Sequence, residues 1–174
     1  GNKPSVARYR YHDHTAERFV SAFVDRIGRW CGEHNIMLTG HMNSEQDLYS
    51  QTSSIGDAMR CYRSFQQPGI DILADHREFV TAKQCVSVAR QRNINHVTCE
   101  IYGVTNWDYP FSGYKLQGDW LAAMGITTRV HHLTLLGMQG ESKRDYPASI
   151  GAHVPWHTKF GLLEDHYSRL NTAL

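Results

Sequence analysis

The sequence predicts an α/β fold of αβαβαβαβα order, with four parallel strands that make up an incomplete (β/α)8 barrel. Three observations carry this. Apolar spacing switches repeatedly between helical stripes and short strand-like runs, and strands alternating with helices imply a parallel sheet. The helix-to-strand turns are short and the strand-to-helix loops long and chemically rich, the asymmetry of a barrel whose sites gather at its strand C-termini. No Gly-rich phosphate turn follows a strand, which weighs against the competing arrangement, a doubly wound open sheet.

Element by element, residues 11–34 carry a helical pattern with Phe19, Phe23, Ile27 and Trp30 on one face, the face expected to meet the sheet. His12-Asp13-His14-Thr15 is expected to open this helix, with Asp13 or Thr15 as N-cap, and Asn35 to stop it. A short strand over 36–40 and a polar loop over 41–54 follow. A helix over 55–67 is then stopped by Pro68-Gly69. The unit repeats with a strand over 70–73, the loop Ala74-Asp75-His76, and a helix over 78–92 that aligns Phe79, Ala82, Val86 and Ala89. The next strand covers 96–102 and leads into an aromatic loop over 103–114. A helix over 115–124 capped by Gly125, a strand over 126–133 and a Gly-rich loop to Pro155 complete the series. In the last helix Trp156, Phe160, Leu163, Tyr167 and Leu170 share a stripe. Four strands do not close a barrel that takes roughly 250 residues. Residues 1–174 are therefore expected to be a single domain, the C-terminal half of a barrel.

The composition is that of an ordinary globular domain, 41% apolar and 20% charged with a net charge of +1. That balance argues against nucleic acid as a partner, and the absence of a long apolar run argues against a membrane. Cys31, Cys61, Cys85 and Cys99 form no C-x-x-C pair and each sits in an apolar pattern. They are expected to be reduced, buried thiols, which favours a cytoplasmic setting; an extracellular or periplasmic one stays open.

Glu100 is the sharpest candidate for chemistry. It ends an apolar strand, where a charge is costly unless paired or functional, and a strand-end carboxylate projects toward a barrel mouth. Glycosidic cleavage needs two carboxyl groups, one to protonate the leaving oxygen and one to act as nucleophile or base. Glu45, in the loop after the first strand, is the candidate second carboxylate. His41, Asp75 and His76 also stand at strand ends and are candidate substrate contacts. The loop after Glu100 adds Tyr102, Asn106, Trp107 and Asp108, aromatic faces for sugar rings and polar groups for hydroxyls. Lys143 and Arg144 lie in a later loop with room to touch substrate. His12, His14, His131 and His132 invite a metal reading, but adjacent His131 and His132 face opposite sides of a strand, and no metal site is expected.

The runs Tyr9 to Phe19, Gly28-Arg-Trp-Cys-Gly-Glu-His34 and Leu38-Thr-Gly-His41 resemble barrels of bacterial glycoside hydrolases, specifically the family 106 α-L-rhamnosidase-like group and related clan A barrels. Glu100-Ile-Tyr-Gly-Val-Thr-Asn-Trp-Asp108 and Lys143-Arg-Asp-Tyr-Pro147 resemble segments of the same kind. The resemblance implies that the strands are the fifth to eighth of a barrel and that Glu100 falls on the seventh, the place of the clan A nucleophile. The clan A acid/base, on the fourth strand, then lies outside these residues. Family 106 enzymes invert and depend on calcium, so the resemblance also raises calcium as a cofactor. A carbohydrate is the implied substrate, and open sheet edges imply a homo-oligomer or packing against the remainder of the same polypeptide. A non-catalytic carbohydrate-binding or interaction domain and a metal-dependent barrel hydrolase are the competing functions.

Overall fold

The computed structural model of the chain describes residues 3–141, 146 and 148–173. Lys143, Arg144 and most of the 143–147 motif lie outside the described residues.

Ser5 starts the first helix: its backbone is extended and its Oγ accepts the Arg8 N–H at 3.1 Å. Helix α1 spans Val6–Phe19. His12, Asp13 and His14 therefore lie inside the helix rather than opening it, and Asp13 pairs with Arg60 instead of capping. A π turn over Val20–Val24 joins α1 to α2, Asp25–Glu33.

The buried stripe of this long helix is Ala16, Val20, Val24, Gly28 and Cys31. Phe23, Ile27 and Trp30 are 50%, 37% and 52% exposed, which corrects the expected core face. The reason is close approach. A Cβ at Gly28 would sit 2.4 Å from the Ser64 carbonyl oxygen, so only small residues fit the side where chain meets chain. The larger apolar residues are turned out, and Phe19, Phe23 and Ile27 line a groove of about 370 Å³ beside Leu38 and Met42.

Strand β1 covers only Thr39–Gly40. Helix α3 (Leu48–Ser54) stands inside the expected loop over 41–54, and the helix expected over 55–67 is cut to α4 (Ala58–Tyr62). Each has its own cap: Asp47 accepts from the Ser50 N–H at 2.8 Å and Asp57 from the Arg60 N–H at 3.1 Å. Gly56, at φ +85°, breaks the helix between them. Pro68 and Gly69 belong to β2 (Gln67–Ile72) and do not stop a helix. The remaining elements are α5 (Phe79–Gln91), β3 (Thr98–Ile101), α6 (Phe111–Met124), β4 (Thr128–His131) and α7 (Gly161–Ala173). Gly125, at φ +104°, caps α6 as expected.

The fold is α/β, with four parallel strands in the sheet order β1-β2-β3-β4. Thr39 pairs with Gln67 and Gly40 with Pro68. The chain divides into two compact units, and β2 and β3 each run from one into the other. The first comprises Gly1–Ile70 and Glu78–Thr98, the second Asp71–Arg77 and Cys99–Leu174.

In the first unit the core is aliphatic and small, with Val20, Val24, Ile70, Ala82, Cys61 and Cys85 almost fully buried. Arg92 locks it from α5 by donating to the Tyr62 and Phe65 carbonyls. Arg63 ties α4 to the long helix through Glu17 and Asp25. In the second unit the core is aromatic. Tyr114 meets Tyr102, Tyr109 and Phe160 edge-on at centroid separations of 4.8, 4.8 and 5.3 Å, and the Arg129 guanidinium lies 3.7 Å over the Tyr167 ring. Two of the buried hydroxyls are partnered, Tyr114 with Ser149 at 2.6 Å and Tyr167 donating to the Lys115 carbonyl at 2.8 Å.

All four cysteines are free and buried. Among the described residues, no helix is long and apolar enough to cross a membrane.

Candidate functional site

β2 and β3 are neighbours in the sheet, and each carries an acidic residue one place before its end: Asp71 before Ile72, Glu100 before Ile101. On a strand, alternate side chains take opposite faces. Ile70 and Ile72 are buried at 1% and 0%, and Cys99 and Ile101 at 0%, so the carboxylates occupy the other face. Both are half-buried. A carboxylate oxygen of Asp71 and one of Glu100 lie within 4.8 Å of each other.

His132 follows β4, and its Nε2 faces the Glu100 carboxylate across 3.9 Å. That is too long for a hydrogen bond, but the cationic form of the ring is placed to balance negative charge there. Gly103 makes the approach possible, since a Cβ there would meet the His132 ring at 2.5 Å and Leu73 at 2.8 Å. The His132 N–H donates to the Ile101 carbonyl at 2.9 Å, which fixes the backbone beside the end of β3.

The backbone around these strand ends is unusual. Ala74, Tyr102 and Val104 have φ of +52°, +75° and +59°, the left-handed region. For a β-branched residue such as Val104 this conformation is a genuine outlier. Strained backbone of this kind clusters at functional sites, where the surrounding structure enforces it. Here the enforcing bonds are the Ala74 N–H to the Gly103 carbonyl at 2.8 Å and the Val104 N–H to the Tyr146 carbonyl at 3.1 Å.

The other candidates are spread over both units. Asp75 pairs with Arg77, whose guanidinium lies over the Trp120 ring at 5.8 Å. Burial and the neighbouring Asp75 push the Tyr109 phenol well above its ordinary value. His76 and Asn106 are exposed and Trp107 half-buried. Tyr102 is 1% exposed and its hydroxyl points to the Tyr114 carbonyl at 3.3 Å, so its ring has no free face for a sugar. In the first unit, His41 is exposed with Nδ1 3.2 Å from the Met42 carbonyl. Glu45 is 5% exposed, and its Oε1 accepts both the Met42 N–H at 2.9 Å and the Tyr62 hydroxyl.

No protein-family model matches the chain, and no curated protein does. Among solved structures it is similar to the rhamnosidase from Novosphingobium sp. PP1Y, with a TM-score of 0.79 and 16% identity over 94% of this chain. The chain has a rhamnosidase-like fold. It spans 16% of the length of that rhamnosidase, and at this identity the likeness is one of fold alone.

Within the rhamnosidase-like fold, Asp71 is the residue that sequence reasoning passed over. Its signal was legible: a charge set between Ile70 and Ile72 in an apolar strand, the same feature that singled out Glu100. Asp75 and His76, the expected contacts, lie beyond the strand and face solvent. The calcium that the resemblance raises would need a set of oxygen donors. Calcium takes about six to eight oxygen ligands. The paired carboxylates of Asp71 and Glu100 supply a part of that number.

Proposed function

We propose that the chain is the C-terminal half of a (β/α)8-barrel glycoside hydrolase and that Asp71 and Glu100 are its carboxylate pair. The observation that carries this reading is the matched position of the two acids at the ends of adjacent strands, within 4.8 Å of one another. The strained residues just beyond both strands and the fold shared with a rhamnosidase support it.

The chemistry follows from the spacing. Pairs that act by direct attack stand roughly 5–5.5 Å apart, whereas pairs that leave room for a water stand roughly 6.5–9.5 Å apart. Glu100, beside which the His132 Nε2 lies at 3.9 Å, attacks the anomeric carbon. The bond to the leaving oxygen breaks, and that oxygen takes the proton held by Asp71. Water then displaces Glu100 from the sugar while Asp71 accepts its proton, restoring both groups. The spacing thus favours retention, one of the two outcomes that the resemblance leaves open. Glu45, whose Oε1 is occupied inside the first unit, takes no part in this scheme.

In the full-length polypeptide, Glu100→Gln and Asp71→Asn should each lower kcat on an aryl α-L-rhamnoside by about 10²–10⁴-fold. The first-formed product, read by proton NMR, should keep the anomeric configuration of the substrate. Near-parental turnover in Glu100→Gln would sink the reading. An inverted product with both variants inactive would keep the pair but replace direct attack by water activation.

A further inference from the structure

The second unit holds a cleft of about 370 Å³ lined by Asp108, Tyr109, Pro110, Phe111 and Trp156, none of them the carboxylate pair. We propose that this cleft is a subsite for a pyranose ring of the carbohydrate chain, an inference that rests on the glycosidase reading. Its volume is that of a small-ligand site. A protein partner would need an interface on the order of 1,000 Å², far more than five residues offer.

The lining has the two-sided character of a sugar. A pyranose ring presents an apolar C–H face and an edge of hydroxyl donors. The rings of Tyr109, Phe111 and Trp156 and the Pro110 ring supply an apolar wall, and the exposed carboxylate of Asp108 is the one acceptor-only group among them.

The walls are also held in place before any ligand arrives. The Trp156 indole N–H donates to the Ser149 carbonyl at 3.0 Å, so the indole's polar edge is used and its faces remain for stacking. The Tyr109 ring packs on Gly113, where a Cβ would meet it at 2.6 Å, and stands edge-on to Tyr114 at 4.8 Å. Phe111 meets Phe160 edge-on at 6.3 Å. Rings fixed in this way lose little freedom on binding. Trp156 comes from a segment well removed in sequence from the aromatic loop, which is why the loop alone does not announce the cleft.

The test uses the ¹⁵N-labelled chain and three probes: methyl α-L-rhamnopyranoside, methyl α-D-glucopyranoside and tetramethylammonium chloride. The Trp156 indole N–H resonance, assigned with Trp156→Phe, should shift and saturate with a methyl glycoside. Phe111→Ala and Asp108→Asn should each weaken that binding by about tenfold. Asp108 is exposed, so its variant stays folded and keeps the test decisive if Phe111→Ala does not fold. No shift with either glycoside, an unchanged affinity in Asp108→Asn, or a shift with tetramethylammonium alone would each overturn the subsite, the last by marking a cation cage. Failure here leaves the carboxylate pair untouched, because that pair is judged on the turnover of Glu100→Gln and Asp71→Asn.

Discussion

The Tyr62 hydroxyl donates to the same Glu45 oxygen that accepts the Met42 N–H. Tyr62 is fully buried, and burial together with the Glu45 carboxylate drives its phenol well above the ordinary range, so it stays a donor at any accessible pH. Glu45 in turn anchors the loop after β1: its backbone carbonyl accepts from Gln51 Nε2 at 2.8 Å. Tyr62→Phe should therefore cost about 1.5–3 kcal/mol in urea unfolding, the worth of a hydrogen bond to a buried charge. On the glycosidase reading, the turnover of the full-length polypeptide should match the parent. A rate loss as large as that of Glu100→Gln would return Glu45 to the chemistry.

Phe23→Ala should cost less than about 1 kcal/mol, because that side chain is half exposed. Val24→Ala, at a site 2% exposed, should cost about 2 kcal/mol through lost burial and the cavity left behind. Gly28→Ala forces a Cβ against the Ser64 carbonyl and should cost about 1–3 kcal/mol. Chemical unfolding of the three variants orders them. A larger loss at Phe23 than at Val24 would reverse the assignment of the helix face.

His131 gives the fold a pH dependence of stated sign. Burial lowers its pKa below 6.5; Glu164 at 3.2 Å pulls the other way, and Arg129 adds to the lowering. The folded form thus binds the proton less readily than the unfolded chain, whose ring titrates at its ordinary value. Stability contributed by the neutral ring is complete above about pH 6.5 and is lost as pH falls through the lower folded pKa. The melting temperature should drop as pH falls below about 6.5, and His131→Gln should flatten that part of the profile. An equally steep profile in His131→Gln would assign the loss to other groups.

Val104 keeps a left-handed backbone that a β-branched residue adopts only under constraint. Val104→Gly removes about 1–2 kcal/mol of strain and adds roughly 0.5–1 kcal/mol of chain entropy to the unfolded state. Urea unfolding should show the variant as stable as the parent or more stable, by up to about 1 kcal/mol. If the strain positions Glu100 for the proposed glycosidase step, the same change in the full-length polypeptide lowers kcat. A destabilised variant would mean that the Val104 side chain, and not its backbone, matters there.

The alternation of helices and strands was legible because each apolar run is short and bounded by turn residues. The phase of the long helix was not. Two apolar stripes run along it, and pattern alone favours the bulky one; only the carbonyl of Ser64 against Gly28 decides for the small one. Likewise the caps Asp47 and Asp57 were visible as residues, but placing α3 in the expected loop and starting α4 only after it depended on Gly56 taking positive φ. Glu100 stands out in the sequence by its charge in an apolar strand, and Asp71 carries the same signal between Ile70 and Ile72. What the sequence does not reveal is their nearness, because pairing across neighbouring strands is a property of register, which no single strand shows.

The buried cysteines make the chain its own reporter of opening. Burial lifts the Cys61 thiol to about 12 and the Cys85 thiol higher still, so neither offers a thiolate to a reagent while the fold is closed. Alkylation must wait for an opening event, and its rate then counts such events. Cys31, Cys61 and Cys85 belong to the first unit and Cys99 to the second. Mass spectrometry of the labelled peptides, timed site by site, would therefore separate a chain that breathes in two parts from one that opens all at once, with no probe introduced.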